Sequence, residues 1–259
     1  MVLFEGGGEK GAIPGSIPVT KKDVAGVVAQ AKKICPTPLL ARMQVDIGSA
    51  GYRVESGDID LMVEAEDVIA LFQTQDEKNP LLAAKKALEN YFRGQGFESV
   101  VKGRNVHIGI PYRDALAQVD VMVIHDAAGV APWHQHGPRG SYSDDDFKGQ
   151  DIFILMNSIG KALGLKFDAF GGKLMRRDDN TVIAQDRDSV AKILLNPKAT
   201  HDDLNSVKSI MRALATDPRR EEKLAQARED EAKGFVKLYE TAPVGTASWF
   251  RSMQNILVQ

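Results

Sequence analysis

The chain has 259 residues, 43% of them hydrophobic, which is enough to bury a sizeable core and to build two modest lobes. Its 33 Lys and Arg residues nearly balance its 35 Asp and Glu residues, which excludes an overall field that attracts nucleic acid or anionic membrane. A single cysteine, Cys35, and no apolar run near the ~20 residues that span a bilayer favour a cytoplasmic protein that binds no membrane.

The predicted elements begin after a lead-in. Residues 1–19 are rich in glycine and proline, which predicts a flexible segment. Apolar residues then recur at helical spacing from Val24 to Ala31, until Pro36 ends the pattern. Residues 43–47 follow as a short predicted strand.

Strand and helix patterns then alternate. They predict a strand at Ile59–Val63, a helix at Leu81–Phe92, a hairpin at Ser99–Lys102 and Val106–Ile110, and a valine-rich strand at Gln118–Ile124. We therefore predict a mixed α/β domain over residues 20–135, in which strands carry the acidic residues of interest.

The remaining residues are predicted to form a small lobe and a tail. A helix pattern that starts at Ile152 and a hairpin around Asp178–Asn180 predict a second α/β lobe over residues 136–200. Residues 201–259 are charged and favour helix, which predicts a helical tail. Its aromatic pair, Trp249–Phe250, lies in a segment without a long core pattern, so it either docks on the body or anchors a protein partner.

Three aspartates in two predicted strands point to metal chemistry. Asp58 and Asp60 are two residues apart, so they present their carboxylates on the same face of one strand. Asp120 lies in the valine-rich strand, and pairing of the two strands would gather all three carboxylates. Burying such a group is costly unless a cation lies among them, and magnesium prefers oxygen ligands. The pattern predicts a magnesium site.

A turn upstream of these acids is suited to a triphosphate. Gly48 and Ser49 offer backbone N–H groups and a hydroxyl at a strand end, and Arg53 is placed to neutralise phosphate charge. Two Mg²⁺ ions, with Mn²⁺ as the alternative, would then activate an attacking hydroxyl and stabilise a departing pyrophosphate.

The stretch from Gly48 to Val63, and above all Glu55-Ser56-Gly57-Asp58, resembles the palm signature of the family X DNA polymerases, the group of DNA polymerase beta. The resemblance implies a nucleotidyltransferase palm in which Gly48, Ser49 and Arg53 hold the nucleotide. It implies that Asp58, Asp60 and Asp120 bind two metals, and that a nucleoside monophosphate moves to a nucleic-acid 3′ hydroxyl.

The second lobe resembles the thumb of those polymerases at residues 147–153 and 161–171, and residues 181–184 and 188–195 continue the pattern. There Lys173, Arg176 and Arg177 form a compact basic patch that is predicted to contact nucleic-acid phosphates, with a surface that serves solubility as the alternative. Too few residues precede Gly48 for the lyase and fingers domains of full-length members. The resemblance therefore implies a reduced palm-and-thumb form, as in some viral polymerases, of phage or viral origin and active in the host cytoplasm.

Two other functions remain open from the sequence. The first is a non-catalytic structural or assembly protein that keeps the nucleotidyltransferase fold, and retention of all three aspartates argues against it. The second is a transferase that modifies tRNA, a protein or a small molecule, which the near-neutral charge leaves open.

Overall fold

A computed structural model describes residues 11–52, 54–135, 149–236 and 238. The chain divides into two compact units, residues 1–142 and 143–259. Both contain helices and sheet, which confirms the predicted mixed α/β class. Among the described residues no helix is both long and apolar enough to cross a membrane.

The first unit is built around a mixed sheet of four strands in the order β3, β6, β5, β4. Its described strands are β1 (Val19–Thr20), β2 (Glu55–Ser56), β3 (Asp58–Glu64), β4 (Ser99–Lys102), β5 (Asn105–Tyr112) and β6 (Ala115–Ile124). Its helices are α1 (Val24–Ile34), α2 (Thr37–Leu40), α3 (Ala65–Leu71), α4 (Pro80–Gly94) and α5 (Ala127–Val130), which leads into a 3-10 turn at Ala131–Trp133. Strand β3 runs parallel to β6, and the other pairs are antiparallel.

One face of this sheet is aliphatic and holds the core of the unit. Helices α1 and α4 pack against it through fully buried residues such as Val27 and Phe92. The side chains that alternate onto this face are at most 3% exposed: Ile59, Leu61, Val63, Val106, Ile108, Ile110, Val119, Val121 and Val123. The opposite face therefore receives the even-numbered residues of β3 and β6 and the odd-numbered residues of β5.

Residues 11–19 pack against the sheet, which differs from the predicted flexible lead-in. The backbone N–H of Ile17 donates to the carbonyl of Leu116 at 2.8 Å, and Val19 pairs with Ser56 between β1 and β2. Ile13 is 1% exposed, and its Cγ2 lies where a Cβ on Gly109 would approach to 3.1 Å. A glycine in β5 thus makes room for this segment. Residues 1–10 lie outside the described residues.

In the second unit, the described elements are α6 (Gly149–Ala162), β7 (Leu165–Asp168), β8 (Lys173–Arg176), β9 (Val182–Ala184), α7 (Arg187–Leu194), a 3-10 turn (His201–Leu204), α8 (Val207–Leu214) and α9 (Arg220–Ala232). The three strands form one antiparallel sheet in chain order. Its buried face, with Phe167 and Leu174, meets α6, where Phe153 stacks on Phe167 at 6.0 Å between ring centroids.

The C-terminal helices belong to this unit, whereas the sequence predicts a separate tail from residue 201. Helix α9 packs along α6, and the Ser158 hydroxyl donates to the Asp230 carboxylate at 2.6 Å. Leu224 and Ala227 are fully buried, so a narrow apolar stripe anchors an otherwise charged helix. The predicted anchor at Trp249–Phe250 lies outside the described residues.

Candidate active site

The three predicted aspartates lie on one face of the central sheet. Strands β3 and β6 run parallel with Asp60 opposite Asp120 and Asp58 opposite Gln118. Residues opposite each other on paired strands point to the same side, and Asp58 precedes Asp60 by two residues, which places both on one face of the strand. All three carboxylates therefore belong to the face turned away from the aliphatic core, hereafter the polar face.

The three carboxylates interact electrostatically. Burial, followed by the charges of Asp58 and then Asp120, raises the pKa of the Asp60 carboxyl well above its usual range. Like charges this close disfavour simultaneous ionisation, so the polar face holds negative charge at a cost in stability. A bound cation would remove that cost.

Asp120 is the most buried of the three, at 3% exposure, and is surrounded by polar partners. Its Oδ1 lies 2.7 Å from His107 Nδ1 and accepts a hydrogen bond from Gln118 Nε2 at 2.9 Å. Its Oδ2 accepts a longer bond of 3.3 Å from Asn105 Nδ2. A buried carboxylate requires such partners, because an unpaired charge there would cost several kcal/mol.

Gly48 brings the predicted triphosphate turn against Asp60. It has a φ of +70°, and a Cβ at this position would lie 2.0 Å from Asp60 Oδ2. Only glycine permits both this backbone conformation and this approach. Its N–H donates to the carbonyl of His134 at 2.9 Å, so in this structure Gly48 contributes close packing beside the carboxylate.

The other predicted nucleotide-binding residues are less defined. Ser49 directly follows Gly48 and is half-buried, and its carbonyl accepts from the Ser56 hydroxyl at 3.4 Å and from the Tyr52 N–H at 3.2 Å. These contacts join Ser49 to a turn at Tyr52 and to Ser56 of β2. Arg53 lies outside the described residues.

The donors of the polar face are of the type that a hard divalent cation prefers, but the structure does not gather them into a formed site. Among the described residues, no group of three or more His, Cys, Asp and Glu side chains is arranged so that it could hold a metal ion, and Asp120 directs Oδ1 towards His107 and Gln118. The three carboxylates supply oxygen atoms on one face, and the electrostatic cost at Asp60 is the kind that Mg²⁺ offsets. Asp58, Asp60 and Asp120 are therefore the candidate ligands.

The predicted basic patch of the second unit is dispersed. Lys173 and Arg176 are three residues apart in β8, so they lie on opposite faces of that strand. Arg176 pairs with Asp178 at 3.0 Å, and Arg177 Nε donates to the carbonyl of Leu165 at 2.7 Å. The structure does not bring these three side chains onto one surface.

Three further residues of the polar face escaped the sequence analysis: Asn105, His107 and Gln118. His107 is directly opposite Asp120 on the antiparallel neighbour β5, and Gln118 precedes Asp120 by two residues. The available signal was the alternation of polar and aliphatic residues in β5 and β6, where His107 and Gln118 interrupt otherwise apolar strands.

Comparison of the chain with protein-family models found no match, and comparison with curated proteins found none of significant similarity.

Proposed function

We propose that the chain is a metal-dependent nucleotidyltransferase that transfers a nucleoside monophosphate from a nucleoside triphosphate to a hydroxyl group. The observation that carries this proposal is the register of β3 and β6, which sets Asp58, Asp60 and Asp120 on the polar face. Three carboxylates on a half-buried surface reduce the stability of the fold unless they bind cations. The resemblance of residues 48–63 to the family X palm supports the same activity.

The proposed step exchanges a phosphoanhydride bond for a phosphoester bond. The acceptor oxygen forms a bond to the α-phosphorus, the bond to the departing pyrophosphate breaks, and the hydroxyl proton passes to a base. When bound, two Mg²⁺ ions, or Mn²⁺, would activate the attacking oxygen and stabilise the departing pyrophosphate.

The residues of the chain have separate roles in this step. Asp58 and Asp60 would hold the cations, and Asp120 would hold one cation and accept the proton. The Ser49 hydroxyl and the Arg53 guanidinium would bind the triphosphate. Gly48 would keep this turn beside Asp60, since its missing side chain is what allows the approach.

A nucleic-acid 3′ end is the acceptor that we propose. The resemblance supports this choice. Because Lys173, Arg176 and Arg177 do not share one surface, any contacts that they make with its phosphates would be separate ones. We place the activity in the cytoplasm, because the chain has one cysteine and so forms no internal disulfide.

The test is incubation with each labelled ribo- and deoxyribonucleoside triphosphate, Mg²⁺ and a primed DNA template, followed by separation of extended primers. Wild type is expected to extend the primer, and Asp120→Asn to reduce the rate by about 10³-fold, since a metal ligand contributes several kcal/mol to such a step. The isosteric change keeps an oxygen acceptor for His107 and Gln118 while removing the charge.

The matched control is Asp114→Asn, in the exposed turn between β5 and β6. It removes an equal charge from the same hairpin and should retain full activity. Extension that survives in Asp120→Asn, or its failure in wild type with DNA, RNA and tRNA acceptors, contradicts the proposed function.

A further inference from the structure

The carboxylate of Asp120 is held by a buried network that the proposed reaction does not itself use. We infer that His107 and Gln118 are positioning residues, which fix the orientation of Asp120 for cation binding, and that the backbone of Ala12 and Ile13 in turn orients Gln118. The inference rests on the proposed function, because it assigns Asp120 to a divalent cation.

The orientation of the Gln118 amide follows from the hydrogen-bond partners of its oxygen and of its nitrogen. Its Oε1 accepts hydrogen bonds from the backbone N–H groups of Ala12 at 2.8 Å and Ile13 at 3.2 Å. A flipped amide would turn its NH₂ group towards these two donors, so the NH₂ group must face the Asp120 carboxylate, 2.9 Å away. Gln118 is fully buried, and its amide has no room to exchange these partners for water.

The tautomer of His107 follows from one short contact. Its Nδ1 lies 2.7 Å from Asp120 Oδ1, and a nitrogen without hydrogen there would set its lone pair against the carboxylate oxygen. Nδ1 therefore carries the hydrogen and donates it. The 3.4 Å separation between Gln118 Nε2 and His107 Nδ1 is then a contact of two donors. His107 and Gln118 converge on the same oxygen.

This convergence leaves the two oxygens of Asp120 unequal. Oδ1 accepts two short bonds, whereas Oδ2 accepts the longer bond of 3.3 Å from Asn105. Rotation of the carboxylate would break both short bonds inside a buried site, which is costly. The network thus fixes which oxygen is presented for a cation, as outer partners of metal ligands commonly do.

The competing explanation is that the network only satisfies buried polar groups. In that case, its loss would reduce stability but leave the cation affinity of the folded protein unchanged. The measurement that separates the two explanations is therefore the dissociation constant of Mn²⁺, followed by electron paramagnetic resonance of the free ion, alongside urea unfolding of each variant.

The matched pair is His107→Asn and His107→Gln. The asparagine amide nitrogen replaces Nδ1, while the glutamine amide reaches one carbon further and misplaces the donor. We expect His107→Gln and Gln118→Leu to weaken Mn²⁺ binding by about 10- to 100-fold, and His107→Asn to stay within about threefold of wild type. The control Val106→Ala, a buried position on the aliphatic face of the same strand, should lose stability and keep its Mn²⁺ affinity.

Unchanged or tighter Mn²⁺ binding in both His107→Gln and Gln118→Leu overturns the inference. A second readout needs no cation, and the tautomer itself is measured on the wild-type protein. Nitrogen-15 NMR of the imidazole rings, with His107 identified by the signal that disappears in His107→Asn, is expected to show the Nδ1–H tautomer, and the Nε2–H tautomer overturns the inference.

Failure of the proposed function is distinguishable from these results. A wild type that binds Mn²⁺ with the predicted dependence on His107 and Gln118, yet extends no primer and labels no other acceptor, supports the positioning roles and contradicts nucleotidyl transfer. A wild type that binds no Mn²⁺ overturns both.

Discussion

The two faces of the central sheet are built from the same four strands, but their side chains have opposite effects on the stability of the fold. The face against α1 and α4 is aliphatic, and the burial of residues such as Leu61 and Val121 supplies stability. The polar face carries Asp60, whose carboxylate is destabilised by burial, by the charge of Asp58 and by that of Asp120. Strand alternation thus lets one sheet separate the residues that stabilise the fold from those assigned to chemistry.

The largest effect on stability is expected on the aliphatic face. Leu61→Ala removes a fully buried side chain, so the free energy of unfolding should fall by about 2–5 kcal/mol in urea titrations. The neighbouring change Asp60→Asn, on the polar face of the same strand, should leave stability equal or higher at pH 7. If Asp60→Asn lowered the free energy of unfolding as much as Leu61→Ala, the two faces would not differ in this way.

A smaller effect is expected where the polar face meets the turn at Gly48. Gly48→Ala places a Cβ on a residue with left-handed backbone, and this Cβ would overlap Asp60 Oδ2. The control Gly103→Ala has a φ of +60° but meets nothing within 4 Å, so it carries the backbone cost alone. We expect Gly48→Ala to be less stable than this control by about 1–3 kcal/mol, and to reduce primer extension.

Equal stability and equal activity in the two alanine variants would show that the Gly48 turn does not approach Asp60. Urea unfolding and the extension assay, run on the same preparations, decide between these results.

The smallest effect concerns pH. Because the pKa of Asp60 is raised on folding, its favourable contribution is present below its ordinary value of 3.8 and is lost as pH rises through the raised value. Glu64, whose pKa is also raised chiefly by burial, acts in the same direction. The free energy of unfolding should therefore fall less with rising pH, from about 4 towards neutrality, in Asp60→Asn than in wild type. Parallel pH profiles contradict the coupling.

Much of the first unit could be predicted because its periodicity is strong. The predicted strands at Ile59–Val63 and Gln118–Ile124 are the cores of β3 and β6, and the helix at Leu81–Phe92 lies within α4. The shared face of Asp58 and Asp60 follows from spacing alone. The parallel register that sets Asp120 beside Asp60 required the structure, because register depends on packing between distant segments.

The hydrogen-bond partners of the residues around Asp120 could not be predicted, for the same reason. Nothing local to His107 indicates a partner thirteen residues further along the chain, and the contacts of Gln118 with Ala12 and Ile13 span more than a hundred residues. Composition also misled at residues 11–19, where glycine and proline suggested flexibility. The buried side chains of Ile13 and Val19 instead anchor the segment to the sheet.

The central claim is that the polar face binds a divalent cation through its three aspartates. The most direct measurement is urea unfolding at pH 7 and constant ionic strength, with increasing Mg²⁺, for wild type and for Asp58→Asn, Asp60→Asn, Asp120→Asn and the control Asp114→Asn. Wild type and control should gain about 2.7 kcal/mol when Mg²⁺ reaches 100 times its dissociation constant, and the three polar-face variants should gain much less at the same concentration. An equal gain in all five proteins, or no gain in wild type, contradicts the claim.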